Sequence, residues 1–233
     1  MAAWRHHSYW DPRKYQFYRR YVATNGPRFR GRADLDCADI TMVLMIEFAA
    51  ANGLPVTLWD NDRVRYISKA TRQVPKSGKI LGTRTWSSKD DYIKAVTHRI
   101  GAKSLVNENS VPNPAGPESG DLMAKVDHAA LVFQVYHRGQ DHPRATDKSI
   151  PIFPVNDKAM LELNQTEYFR DAESQPDTHV DYLNHRGFGK EKAELMYFAA
   201  ATEMRQQGFR FLMYAPGVLD NWKDWDGEGD PPR

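Results

Sequence analysis

Cysteine is nearly absent from this 233-residue chain: Cys37 stands alone. A single thiol excludes an internal disulfide scaffold and a cysteine-based zinc site. Long apolar runs are also missing. The longest, Ile40 to Ala51, is interrupted by Thr41 and Glu47 and is too short to span a bilayer. The N-terminus, Met1-Ala2-Ala3-Trp4-Arg5-His6-His7, lacks the apolar stretch of a secretory signal. The chain is therefore expected to be made in the cytoplasm, with any action elsewhere requiring delivery. There is no Gly-x-Gly-x-x-Gly and no Gly-Lys-Ser/Thr phosphate loop, which argues against a nucleotide enzyme. No Gly-x-Ser-x-Gly elbow is present, which argues against an α/β-hydrolase. Repeats and low-complexity tracts are absent too.

What is present is an ordinary globular composition, 41% hydrophobic and 27% charged, long enough to bury a large core. It is read as a single domain, 1–233, with a basic N-terminal arm and an acidic C-terminal tail. The first 35 residues carry eight Arg or Lys against two Asp, and those after Leu219 carry five acids against two bases. Both are read as solvated charge, and no nucleic-acid partner is expected.

Hydrophobic period and punctuation give the elements. Asp11-Pro12 predicts the cap and first position of a helix with a Tyr15, Tyr18, Tyr21, Val22 stripe. A second helix opens at Asp36 or Cys37 and stops at Asn52-Gly53. It is apolar nearly all round, so it belongs inside the fold. Residues 56–59 and 64–67 read as strands, Ser88 to Ile100 as a helix, and Asn107 to Gly120 as a surface loop. Strands follow at Ala129–Tyr136 and Ile150–Val155, then a helix from Lys190 to Gln206 and a last strand, Phe209–Tyr214. The fold class is α+β with an antiparallel sheet.

Cys37 sits in the first turn of the buried helix. Backbone dipoles there favour the thiolate, and free N–H groups can receive an oxyanion. Position alone leaves open a buried, inert filler, and Asp36 and Asp39 oppose a depressed thiol pKa unless they point away. Of eight histidines, His128 opens the most apolar strand, where a ring can be held rigidly at a cleft. The segment from Asp177 to His185 offers His and Asp ligands but no helical His pair, and reads as a solvated loop without a metal.

Asp34-Leu35-Asp36-Cys37-Ala38-Asp39 at a helix start, with the later Gly120-Asp121-Leu122 and His128, resembles the NlpC-type and CHAP-type papain-like amidohydrolases. The resemblance runs over roughly residues 31 to 157. It implies a papain-like fold with Cys37 as nucleophile and His128 as base, and a polar residue of the next strand holding the imidazole. A hairpin turning near His142 would set Asn156 opposite His128, with Asp157 in reserve after a one-residue slip and Asp147 next. No cofactor is implied.

Such relatives cleave amide bonds in peptidoglycan. A compact version without a signal resembles amidase toxins delivered by type VI secretion. Those act in the periplasm of a target cell and partner with a secretion-spike protein and a cognate immunity protein. Two other functions fit the same residues: a non-catalytic papain-like binding or adaptor domain, and a cysteine protease or deamidase acting on host proteins.

Overall fold

The computed structural model describes residues 2–29, 35, 37–69, 85–125, 128–137, 159–163 and 197–219. Helix α1 spans Pro12–Asn25, and Asp11 caps it by accepting the Lys14 N–H at 2.7 Å. Its buried stripe is Tyr15, Tyr18, Arg19 and Val22, so an arginine joins the expected aromatic face. Helix α2, Cys37–Ala51, is buried along nearly its whole length and ends at Gly53, whose φ is +63°. A side chain at Gly53 would also run into the His7 ring.

Strands β1 (Thr57–Trp59) and β2 (Arg65–Ile67) form the expected hairpin. Asp60 shapes its turn, its Oδ1 accepting the Asp62 and Val64 N–H groups at 2.9 Å each. Ser88 caps α3 (Lys89–Arg99), accepting the Asp91 N–H at 3.1 Å.

The stretch expected to be surface loop is more ordered. Helix α4 covers Ala102–Glu108, and β3 covers Ser110–Pro112 as a strand beside β8 (Arg210–Tyr214). Asn109 makes this possible. Its side chain accepts the Trp59 N–H at 2.8 Å and donates to the Trp59 carbonyl at 2.7 Å, standing in for a missing strand neighbour. Pro112 is tolerated because β3 is an edge.

Strands β4 (Leu122–Lys125), β5 (His128–His137), β6 (Ala159–Leu163), β7 (Tyr197–Ala200) and β8 (Arg210–Tyr214) complete the sheet. Its order is β3-β8-β4-β5-β6-β7, and every pair is antiparallel. The expected α+β class with an antiparallel sheet is thus present. The helix expected over Lys190 to Gln206 is interrupted: of its described residues, 197–200 form β7 and Ala201–Gln206 are helical, as α5, while 190–196 lie outside the described residues. Tyr197 and Phe198 suit a strand, and β6 supplies a neighbour that local periodicity cannot anticipate. A final turn of helix, α6, covers Pro216–Leu219.

Two apolar clusters lie on opposite faces of the sheet. The larger joins α1, α2, α3 and the N-terminal residues Trp4 and Trp10 to Leu122, Ala124, Ala129, Leu131, Phe133 and Leu212. The smaller joins Met123, Ala130, Val132, Leu161 and Leu163 to α5 and to Phe209 and Phe211.

Candidate active site

Cys37 is the first residue of α2, as the charge and apolar pattern anticipate. The first four N–H groups of a helix have no intrahelical acceptor, and the aligned peptide dipoles give this end partial positive charge. Asp39, buried in the same turn, brings a carboxyl that opposes a second anion. One turn further on, the Thr41 carbonyl accepts the Tyr214 hydroxyl at 3.0 Å, which ties the start of α2 to the end of β8.

His128 is the first residue of β5 and pairs with Lys125 across the β4–β5 ladder. Helix α2 packs on β5 more extensively than any other helix does, so the element headed by Cys37 lies against the element headed by His128. Alternation along β5 gives Ala129, Leu131 and Phe133 to the α2 side, and Ala130 and Val132 to the α5 side. Position 128 belongs to the even set. The Cys37 and His128 side chains themselves lie outside what the structure describes.

The register expected for the third group is corrected. The partner of β5 is β6, with Ala159 opposite His137 and Leu161 opposite Val135. The turn thus centres several residues later than His142, and the ladder enters β6 at the end of β5 remote from His128, roughly 30 Å away along a ten-residue strand. The described ladder on this side of β5 runs over Ala159–Leu163, and the strand expected at Ile150–Val155 lies outside the described residues. Asn156, Asp157 and Asp147 lie outside the described residues, as do Asp34, Asp36 and the segment from Asp177 to His185.

Asp121, part of the Gly120-Asp121-Leu122 motif, is a buried polar group beside the start of β4 whose partners the sequence did not reveal. Asp121 is fully buried. Its Oδ2 accepts the Asn113 side-chain amide at 2.7 Å and the Glu118 N–H at 2.9 Å, and its Oδ1 faces Arg19 at 3.4 Å. Arg19 also pairs with Glu118 and lies 5.1 Å over the Tyr15 ring. Burial pushes the Asp121 carboxyl up to about 7, against the lowering effects of Asn113 and Arg19. Burial likewise raises Tyr15 to about 12 and holds Tyr18 and Tyr214 well above the usual phenol range.

These groups fasten α1 to the sheet next to β5. Gly120, at φ +86°, donates to the Val132 carbonyl at 2.8 Å, and a Cβ there would meet the Tyr18 ring at 3.0 Å. The available signal was spacing: Arg19 is four residues from Tyr15, which puts both on one helix face.

A second titratable contact anchors the N-terminal residues. His6 Nε2 lies 2.8 Å from the Ser68 hydroxyl, which also accepts the Val56 N–H at 2.9 Å. That leaves the hydroxyl to donate to a neutral His6. Burial, then Lys69 and His7, lower the His6 pKa to about 4. The residues expected to form an arm are therefore packed: Trp4 and Trp10 donate to the Leu54 and Pro55 carbonyls at 2.9 and 2.7 Å.

Among the described residues, no group of three or more His, Cys, Asp or Glu is arranged to hold a metal ion, and no helix is long and apolar enough to cross a membrane. Comparison with protein-family models, with curated proteins and with solved structures finds no match.

Proposed function

We propose that the chain is a papain-like cysteine hydrolase that cleaves amide bonds. The observation that carries this reading is the packing of α2, which Cys37 opens, on β5, which His128 opens. In this mechanism His128 takes the Cys37 proton, and the thiolate attacks the amide carbonyl. First-turn N–H groups of α2 stabilise the oxyanion, and the protonated imidazole then delivers its proton to the leaving amine. Water, deprotonated by His128, hydrolyses the thioester and restores the thiol.

The substrate class follows from the resemblance of the Cys37 and Gly120-Asp121-Leu122…His128 motifs to NlpC-type and CHAP-type enzymes. On that basis the substrate is a peptide of peptidoglycan. The protein acts as an antibacterial effector in a target periplasm, with a secretion-spike protein and an immunity protein as partners.

The test is digestion of purified peptidoglycan by the full chain, with mass analysis of released fragments. Wild type should release fragments with new amine and carboxyl ends. Cys37→Ala should lose this activity by several orders of magnitude while melting within about 1 kcal/mol of wild type. A Cys37→Ala protein that melts normally and still cleaves would remove the cysteine mechanism. No cleavage by wild type, together with an unreactive thiol, would favour the non-catalytic binding reading.

A further inference from the structure

Residues 3–8 lie as a strap along the connection between α2 and β1. The Ala3 N–H donates to the Ser68 carbonyl at 2.8 Å, and the His7 and Ser8 N–H groups share the Gly53 carbonyl at 3.1 Å each. The Trp4 indole donates to the Leu54 carbonyl, and its ring meets Tyr92 of α3 edge-on, 5.4 Å between centres. The far end is pinned. Trp10 donates to the Pro55 carbonyl and packs among Tyr15, Tyr18 and Phe48, and Asp11 beside it caps α1. Tyr9, between the strap and the pin, is exposed.

One contact of the strap depends on a proton. Ser68 is fully buried, and its hydroxyl oxygen already accepts the Val56 N–H. A hydroxyl has a single proton to give, and here it goes to His6 Nε2 at 2.8 Å. Protonating Nε2 turns that acceptor into a donor and leaves the buried hydroxyl proton unpaired, which carries the cost of an unmade hydrogen bond. Charge on the ring is opposed as well. Lys69, next to Ser68, and His7, on the strap, bring positive charge to it, and no described carboxylate acts on it in return. Toward α3 stand uncharged rings, Trp4 at 5.2 Å from His6 between centres and Tyr92 behind it.

We propose that His6 latches this strap, and that its protonation releases residues 3–8 from Gly53, Leu54 and Ser68 about a hinge at Tyr9. In the open state the imidazolium and the Ser68 hydroxyl both reach water, so the cost of charging disappears. Release also uncovers the Tyr92 ring beneath Trp4. The folded value near 4 lies below the ordinary 6.5, so the closed strap is favoured above pH 6.5 and is progressively lost toward pH 4. The limit is about tenfold in the open-to-closed ratio per pH unit, and the half-buried position of the ring reduces the whole span to about tenfold. The proposal is independent of the cysteine mechanism.

Amide hydrogen exchange of the full chain, followed by NMR and corrected for the intrinsic pH dependence of exchange, tests this. Protection of the Ala3, His7 and Ser8 amides should fall about tenfold between about pH 7 and about pH 4. Leu44 and Met45 in α2 should stay far better protected throughout, because the opening is local. In His6→Gln, which cannot charge, strap protection should be flat over the same range. The His6 ring protons of wild type should titrate well below 6.5, over the interval in which protection is lost.

Flat strap protection in wild type overturns the proposal, as does an equal fall in wild type and His6→Gln. Strap and α2 amides that exchange together at low pH overturn it too, since the event is then global unfolding. A His6 ring that titrates at the ordinary 6.5 does the same, and that result needs no variant.

Discussion

The two faces of β5 are covered by different kinds of structure. On one side Ala129, Leu131 and Phe133 meet α1 and α2, within a cluster that includes Trp10, Tyr15, Tyr18 and Phe48. On the other side Ala130 and Val132 meet Met204 of a six-residue helix and the strand residues Leu161 and Phe211. The first face is built from long helices whose periodicity is local. The second depends on strand pairings that join residues far apart in the chain. Stability should therefore be concentrated on the helix side, which also holds the buried Asp121–Arg19 contact and the half-buried His6–Ser68 contact.

The largest expected effect tests that asymmetry directly. Phe133→Ala removes a fully buried ring that fills the space left by Gly26, where any Cβ would collide with it. It should cost about 3–5 kcal/mol, against about 2 kcal/mol for Val132→Ala on the opposite face. Urea melts of both variants give the comparison, and equal losses would erase it.

Asp121 comes next. Its folded carboxyl, near 7, is raised above the ordinary value, so the folded state holds the proton more tightly than the unfolded chain does. The contribution favours folding below about pH 4 and is lost as pH rises to about 7, a span worth about 4 kcal/mol at most. Asp121→Asn cannot titrate. Its stability relative to wild type should rise steadily between those pH values, and a flat difference would contradict the assignment.

His6 has the opposite sign. Its folded value of about 4 lies below the ordinary 6.5, so its contribution is complete above 6.5 and is lost as pH falls toward 4. Half-exposure of the ring screens the effect to about 1–2 kcal/mol. His6→Gln should flatten this limb of the melting-temperature profile. On the α5 side, Gly208 has φ +85° with open space around it, so Gly208→Ala should cost about 1 kcal/mol through backbone strain alone. A larger loss would mean that this face is less tolerant than the comparison holds.

The same division governs what could be read from the sequence. Asp11-Pro12, Ser88 and Asn52-Gly53 mark helix ends by local chemistry, and each stands where expected. The apolar run opened by Cys37 is α2, and the strand opened by His128 is β5. Pairing was not legible in the same way. Nothing local says that Ala159 meets His137 or that Tyr197 joins β6, because strand partners are chosen by the whole sheet. The register that set Asn156 opposite His128 failed for this reason. Arg19 and Asp121 are 102 positions apart, and only the packing of α1 beside β4 reveals them as a pair.

Alkylation of Cys37 as a function of pH tests the cysteine mechanism most directly. The chain has no other thiol, so iodoacetamide labelling of native protein, followed by mass, reads this residue alone. If His128 is its base, labelling should persist well below pH 7, and His128→Ala should move the midpoint up toward about 8.5, the value of an unassisted thiol. A midpoint already near 8.5 in wild type, unmoved by His128→Ala, would contradict the dyad and the hydrolase built on it.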